Sequence, residues 1–227
     1  MLKIGIVGDC SQGDAGLFTK ALDAAIAASD IVAVVGDINS SDHTSYDVLK
    51  ARMASFPGKV FPLPGNHDIG GPGSWDTYLA GIPKTWRKDF PEAVLIGLDN
   101  SSDSPSAFTA DSWSLINAYQ EDDRFLFLFC HKALSALILP DGSESRHIMG
   151  EGSTDDDAQK LMTWMRSHES VICCGHYHGS SLMQTSYGQV ILEGRGGSQG
   201  YHGAAVCGFT LIYVQPEGWT MHSIDLT

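Results

Sequence analysis

The chain has 227 residues, 43% of them hydrophobic, and 14 basic against 27 acidic side chains give a formal net charge of −13. That length and apolar content suffice for one substantial core and a single domain over residues 1–227. The acidic balance argues against nucleic acid or an anionic membrane as partner, although a bound metal would reverse the sign locally.

The opening residues, MLKIGIVGDC, read as a strand and not as a signal peptide, because no charged segment precedes a long apolar stretch. Short apolar runs then recur, each followed by polar or glycine punctuation. LKIGIV, DIVAVV, KVFPL, AVLIGL, RFLFLF, SVICC, QVILE and FTLIYV predict strands, several of them buried on both faces. Between many of them lie helical patterns. Residues 14–29 carry Leu17, Ala21, Leu22, Ala25 and Ile26 at helical spacing, and 43–55, 109–122 and 155–168 follow suit. Thr154 followed by Asp155–Asp157 supplies a cap and an acidic first turn for the last of these. This alternation predicts an α/β core. The last forty residues change character: QVILEG, FTLIYVQ and WTMHSIDL, separated by glycine turns, predict antiparallel strands.

The most lipid-like stretch, FLFLFCHKALSALIL, is broken by His131 and Lys132 and falls short of a membrane span. The five cysteines, Cys10, Cys130, Cys173, Cys174 and Cys207, are odd in number and lack a CxxC pair, which predicts buried free thiols in a reducing compartment. A soluble cytoplasmic protein is expected. Trp75, Trp86, Trp113 and Trp164 are expected to pack in the core or at an interface, and His168 and His222 to lie at the surface.

Five apolar runs end in residues that ligate metals. The first gives Gly8-Asp9, the second VVGDIN with Asp37 and Asn39, and the third LPGNHD with Asn66, His67 and Asp68. A later run ends in LFCH at His131, and SVICC leads into CCGHYHG with His176 and His178. Ligands of open α/β sheets bind beyond the carboxyl ends of the strands, so loops distant in sequence converge there. Each motif alone has an ordinary reading as a turn, and GNHD in particular suits an Asx turn. The conjunction of five points to a metal site. Mixed carboxylate, amide and imidazole donors suit Mn, Fe, Co, Ni or Zn, not a thiolate zinc site.

The series GD, GDxN, GNHD, H, GHxH resembles the calcineurin-like metallophosphoesterase superfamily, over Asp9 to His178. The resemblance implies two facing mixed β-sheets flanked by helices, a four-layer α/β/β/α sandwich, holding two divalent metals at the sheet ends. It implies that Asp37 bridges both ions, that Asn66, His131 and His176 complete one, and that Asp9 and His178 hold the other. It places His67 over the scissile phosphate, with Asp68 orienting its ring. The reaction implied is hydrolysis of a phosphate ester, monoester or diester, by a metal-bridging hydroxide, on a phosphorylated small molecule or phosphoprotein.

The first motif departs from the family pattern, DxH: Ser11 occupies the place of the histidine. Serine is a poor ligand for these metals, and the amide of Gln12 is the nearest substitute. The loop following the GHYHG hairpin offers Arg195 as a phosphate clamp and His202 as a second substrate contact. His43 and His147 are further candidates to face the site, whereas Cys10, Cys130 and Cys174 alternate with the ligands and are expected to point into the core. Two other readings stand beside the phosphoesterase: a scaffold of the same fold without turnover, and a dinuclear hydrolase of a bond other than P–O.

Overall fold

The computed structural model describes residues 1–10, 14–39, 43–69, 74–102, 107–138, 144–145, 148–149, 156–199 and 205–227. In chain order the elements are β1 (Leu2–Val7), α1 (Ala15–Ala28), β2 (Ile31–Val35), α2 (Thr44–Ser55) and β3 (Val60–Leu63). A 3₁₀ turn (Asn66–Asp68) and the short α3 (Trp75–Tyr78) follow, then β4 (Trp86–Asp89), β5 (Ala93–Gly97), α4 (Ala110–Asn117) and β6 (Phe125–Cys130). A small ribbon, β7 (Leu137–Ile138) with β8 (Glu144–Ser145), precedes α5 (Asp156–Ser167). The chain closes with β9 (Ser170–Cys174), β10 (Ser180–Thr185), β11 (Gly188–Glu193), β12 (Gly196–Gln199), β13 (Ala205–Gln215) and β14 (Gly218–Asp225).

These strands form two mixed sheets. One has the order β12-β13-β1-β2-β3, with β14 also on β13; the other runs β10-β11-β9-β6-β5-β4. In the first sheet β1–β2 and β2–β3 are parallel and the pairs from β1 through β13 to β12 and β14 are antiparallel; in the second β5–β6, β6–β9 and β9–β11 are parallel, with antiparallel β10 and β4 at the margins.

Side-chain alternation sets the layers. In β2, Ile31, Ala33 and Val35 face the opposite sheet and meet a cluster that includes Leu95, Phe127, Phe129, Cys173 and Ile191. Val32 and Val34 point the other way, onto Phe18, Leu22 and Ile26 of α1 and Leu49 of α2. The second sheet repeats this: Leu126, Leu128, Ile172 and Val190 pack under Ile116 of α4 and Leu161, Met162 and Met165 of α5. Helix, sheet, sheet, helix is therefore the layer order. Both faces of each central strand are apolar because both are covered, and each fully buried Leu, Ile or Phe contributes about 1.5–3 kcal/mol.

The helices predicted at 14–29, 43–55 and 155–168 form within a residue or so of those limits, but α4 stops at Asn117 and not at 122. Just beyond it Tyr119 turns edge-on to Trp164 and His168. The expectation of a wholly antiparallel C-terminal region needs correction. β13 and β14 do pair antiparallel, and β11 pairs antiparallel with β10, but β11 belongs to the other sheet, where its second neighbour, β9, is parallel. Trp75 and Trp86 are core residues, while Trp113 and Trp164 are partly buried against the α4–α5 layer. All five cysteines are buried, and none is in a disulfide. Among the described residues no helix is long and apolar enough to cross a membrane.

Candidate metal centre

The parallel strands of both sheets end on one side of the sandwich, and each motif is delivered from such an end. Asp9 follows β1, Asp37 follows β2, Asn66 and His67 follow β3, His131 follows β6, and His176 and His178 follow β9. Two backbone bonds lock the first pair of turns together, Asp9 N–H to Gly36 O (3.1 Å) and Cys10 N–H to Asp37 O (2.7 Å). Asp9, Asp37 and His176 all adopt left-handed backbone conformations, with φ of 59°, 51° and 62°. Such conformations cost of order 1–3 kcal/mol each and persist where surrounding structure over-determines them.

Four ligand atoms converge at the first cluster. The Nε2 of His131 lies 3.0 Å from Asn66 Oδ1, 3.1 Å from His176 Nδ1 and 3.4 Å from Asp37 Oδ2. Asp37, His131 and His176 are grouped tightly enough to share one ion. Ligands bonded at about 2.1 Å to a common ion are separated by about 3.0–3.4 Å along the edges of an octahedron or tetrahedron, and these spacings match. The other ring nitrogen of His131 is 2.9 Å from Val35 O. A proton on Nδ1, donated to that carbonyl, leaves the Nε2 lone pair aimed into the cluster, the arrangement metal-binding histidines use.

The electrostatics agree. Burial alone would raise Asp37, but the charge and hydrogen bond of His131, together with the charge and backbone N–H of His67, outweigh it and hold the carboxyl below its ordinary value. Burial favours a neutral His131, yet Asp37 overrides it and lifts the imidazole to about 9. These buried side chains thus favour positive charge among them, which a divalent ion provides.

Asp9 extends the centre. Its Oδ2 accepts the His176 N–H (2.8 Å), and its Oδ1 is buried without a hydrogen-bond partner. His178 Nε2 is 3.9 Å from that oxygen, too far for a hydrogen bond but close enough for both to ligate one ion. Burial raises the Asp9 carboxyl well above its ordinary value, against the opposing pull of His131. An orphaned buried carboxylate oxygen is costly unless a cation meets it, so the residues present fit a metal here as well.

The GNHD turn is built around Asp37 and Asp68. The His67 N–H donates to Asp37 Oδ1 (2.9 Å). A Cβ at position 65 would collide with the Asp37 carboxylate, so only glycine fits before Asn66. The His67 side chain itself is exposed. The expectation that Asp68 orients the His67 ring needs correction. Asp68 is buried and accepts from Ile38 N–H (3.0 Å), Asn39 N–H (3.0 Å), Gly65 N–H (2.8 Å) and Tyr46 O–H (2.7 Å), and the ring of His67 is not among these donors. Asp68 therefore joins the turn after β2 to the turn after β3 and places His67 through its backbone. Burial, with the charge of Asp37, lifts the Asp68 carboxyl to about 6 despite these donors.

The sequence matches the calcineurin-like phosphoesterase family over residues 2–180. The chain belongs to that family. Its fold is similar to that of GAP50, "the anchor in the inner membrane complex of Plasmodium" (TM-score 0.60, 14% identity, covering 100% of this chain and 89% of that one). It is also similar to TT1561 of Thermus thermophilus (0.55, 10%, 98% and 98%) and to YfcE, a phosphoesterase from E. coli (0.50, 11%, 99% and 100%). No curated protein matches the sequence.

Other sequence candidates fall in different places on this calcineurin-like frame. Arg195 does not project as a phosphate clamp. Its guanidinium is engaged by Glu193 through Nε–Oε1 (3.0 Å) and Nη2–Oε2 (2.6 Å), and Nη2 also donates to Phe209 O (3.2 Å). His43 caps α2 in a left-handed conformation, stands 2.6 Å from Asn39 Oδ1 through Nδ1, and packs against Tyr78. Cys130 and Cys174 point into the layer beneath α4 and α5, with Sγ atoms 3.6 Å apart. His168 is half-buried, stacked on Trp164, and His222 is exposed. Ser11, Gln12, His147 and His202 lie outside the described residues.

One participant went unread in the sequence. Asn100 is fully buried beyond β5; its Oδ1 accepts the N–H groups of His131 (2.9 Å) and Lys132 (3.1 Å), and its Nδ2 donates to Lys132 O (2.8 Å). It fixes the backbone from which His131 projects. The available signal was the same one that marked Asp9 and Asp37: a polar residue closing an apolar run.

Proposed function

We propose that this protein is a dinuclear metal-dependent hydrolase of phosphate esters. The observation that carries the reading is the convergence of Asn66, Asp37 and His176 on the Nε2 of His131, beside an Asp9 carboxylate oxygen without a partner. Asn66, His131 and His176 would hold one divalent ion (Mn, Fe, Co, Ni or Zn), Asp9 and His178 would hold a second, and Asp37 would serve both. When bound, such a pair polarises phosphoryl oxygens and lowers the pKa of water so that hydroxide is available near neutral pH.

The chain's own side chains do the rest. His67, exposed at the rim and placed by its N–H to Asp37, donates a proton to the departing ester oxygen or stabilises its charge. Asp68 and Tyr46 hold the two turns in register so that this ring keeps its place. The substrate is a phosphorylated small molecule or a phosphoprotein, since a net charge of −13 repels nucleic acid. Five buried cysteines outside any disulfide suit the cytoplasm.

Hydrolysis of a chromogenic phosphomonoester and a phosphodiester with added Mn²⁺ tests the reading. Turnover is expected with one of them, lost after metal removal and restored by Mn²⁺. The second reading, a scaffold without turnover, is favoured by Ser11 in place of the usual histidine and sits easily with a fold shared by GAP50, described as an anchor. Metal binding with no turnover on either ester would support it.

A further inference from the structure

The chain passes from one sheet to the other in two residues. β11 ends at Glu193 in the second sheet, and β12 begins at Gly196 in the first. This crossing runs directly against the centre. Gly194 N–H donates to Gly179 O (2.9 Å), next to His178, and Gly196 N–H donates to Gly8 O (2.6 Å), next to Asp9. A Cβ on residue 194 would stand 2.5 Å from Asp9 Oδ2 and collide with Tyr177 O. The crossing thus touches both sides of the Asp9–His178 pair.

A charge pair holds the crossing. Glu193 is fully buried, and Arg195, two residues on, closes on it with the two-pronged contact. The same carboxylate accepts from Thr210 Oγ1 (2.7 Å) on β13, and Thr210 lies 3.3 Å from Ser180 Oγ on β10. Arg195 reaches β13 as well, through Phe209 O. Strands of both sheets are therefore tied to one ion pair beneath Asp9. None of these contacts reaches Asn66 or His131, which hang from β3 and β6.

We propose that Glu193 and Arg195 are positioning residues for the Asp9–His178 half of the metal centre, setting the separation of those two ligands without touching an ion. This rests on the dinuclear reading above. Partners in the outer shell of a metal site commonly govern affinity by 10–100-fold, and a half-site with serine where histidine is usual depends the more on placement of the ligands that remain.

The test is calorimetric titration of metal-free protein with Mn²⁺, without substrate. Glu193→Gln/Arg195→Met removes both charges and leaves no buried ion unpaired. It is expected to weaken the Asp9–His178 site by about 10–100-fold and to change the site of Asn66, His131 and His176 by less than about threefold. Arg195→Lys, which keeps the charge but not the two-pronged contact, is expected in between and decides the matter if the double variant does not fold. Equal weakening of both sites, or no change in either, overturns the inference while two sites in the unaltered protein leave the dinuclear reading intact. Failure of the unaltered protein to bind Mn²⁺ overturns both.

Discussion

Asp37→Ala is expected to reduce bound divalent metal from two ions per chain to none, and hydrolysis with it. Asp37 Oδ2 faces the His131 cluster, its charge is felt at Asp9, and its Oδ1 receives the His67 N–H. A shared carboxylate between ions about 3.5–4 Å apart serves each of them, so its removal weakens both. His131→Ala and His176→Ala act on one cluster and are expected chiefly to empty the site shared with Asn66, while the Asp9–His178 site keeps part of its occupancy. Metal analysis of the three purified variants checks this, and unchanged stoichiometry in all of them contradicts the assignment.

His67→Ala is expected to lower kcat by about 10²–10⁴-fold, the scale for a lost general acid, with metal content preserved. The ring is exposed, and the backbone N–H reaches Asp37, a bond that alanine retains. The loss should be greater for an unactivated alkyl phosphate than for a chromogenic aryl ester, because a good leaving group has less need of a proton. Loss of metal along with the imidazole would place His67 among the ligands instead.

The parts of this architecture that were legible are those where local chemistry and tertiary environment agree. Strands covered on both faces, such as IVAVV and FLFLFC, are continuous apolar runs. The marginal strands were not read: WRKD of β4 and SSLMQT of β10 carry polar side chains because one side meets water, and only pairing with β5 and β11 makes them strands. The ligand-type residues were visible because each closes an apolar run at the same end of a sheet. Their partnerships were less so. Asp68 stands beside His67 in sequence, yet its acceptors are filled by donors from the β2 turn and α2, contacts of 22 to 30 residues' separation. Arg195 looked like a free cation in a glycine-rich loop. The signal against that was available in Glu193, since residues two apart in an extended chain share a face.

Titration of metal-free, unaltered protein with Mn²⁺ bears most directly on the central claim. Two sites of unequal affinity are predicted, the looser one at Asp9 and His178, where Ser11 replaces an imidazole with a weaker oxygen donor on a borderline ion, with phosphoesterase activity following its occupancy. A chain that takes up no ion, or only one with full activity, would contradict the dinuclear account.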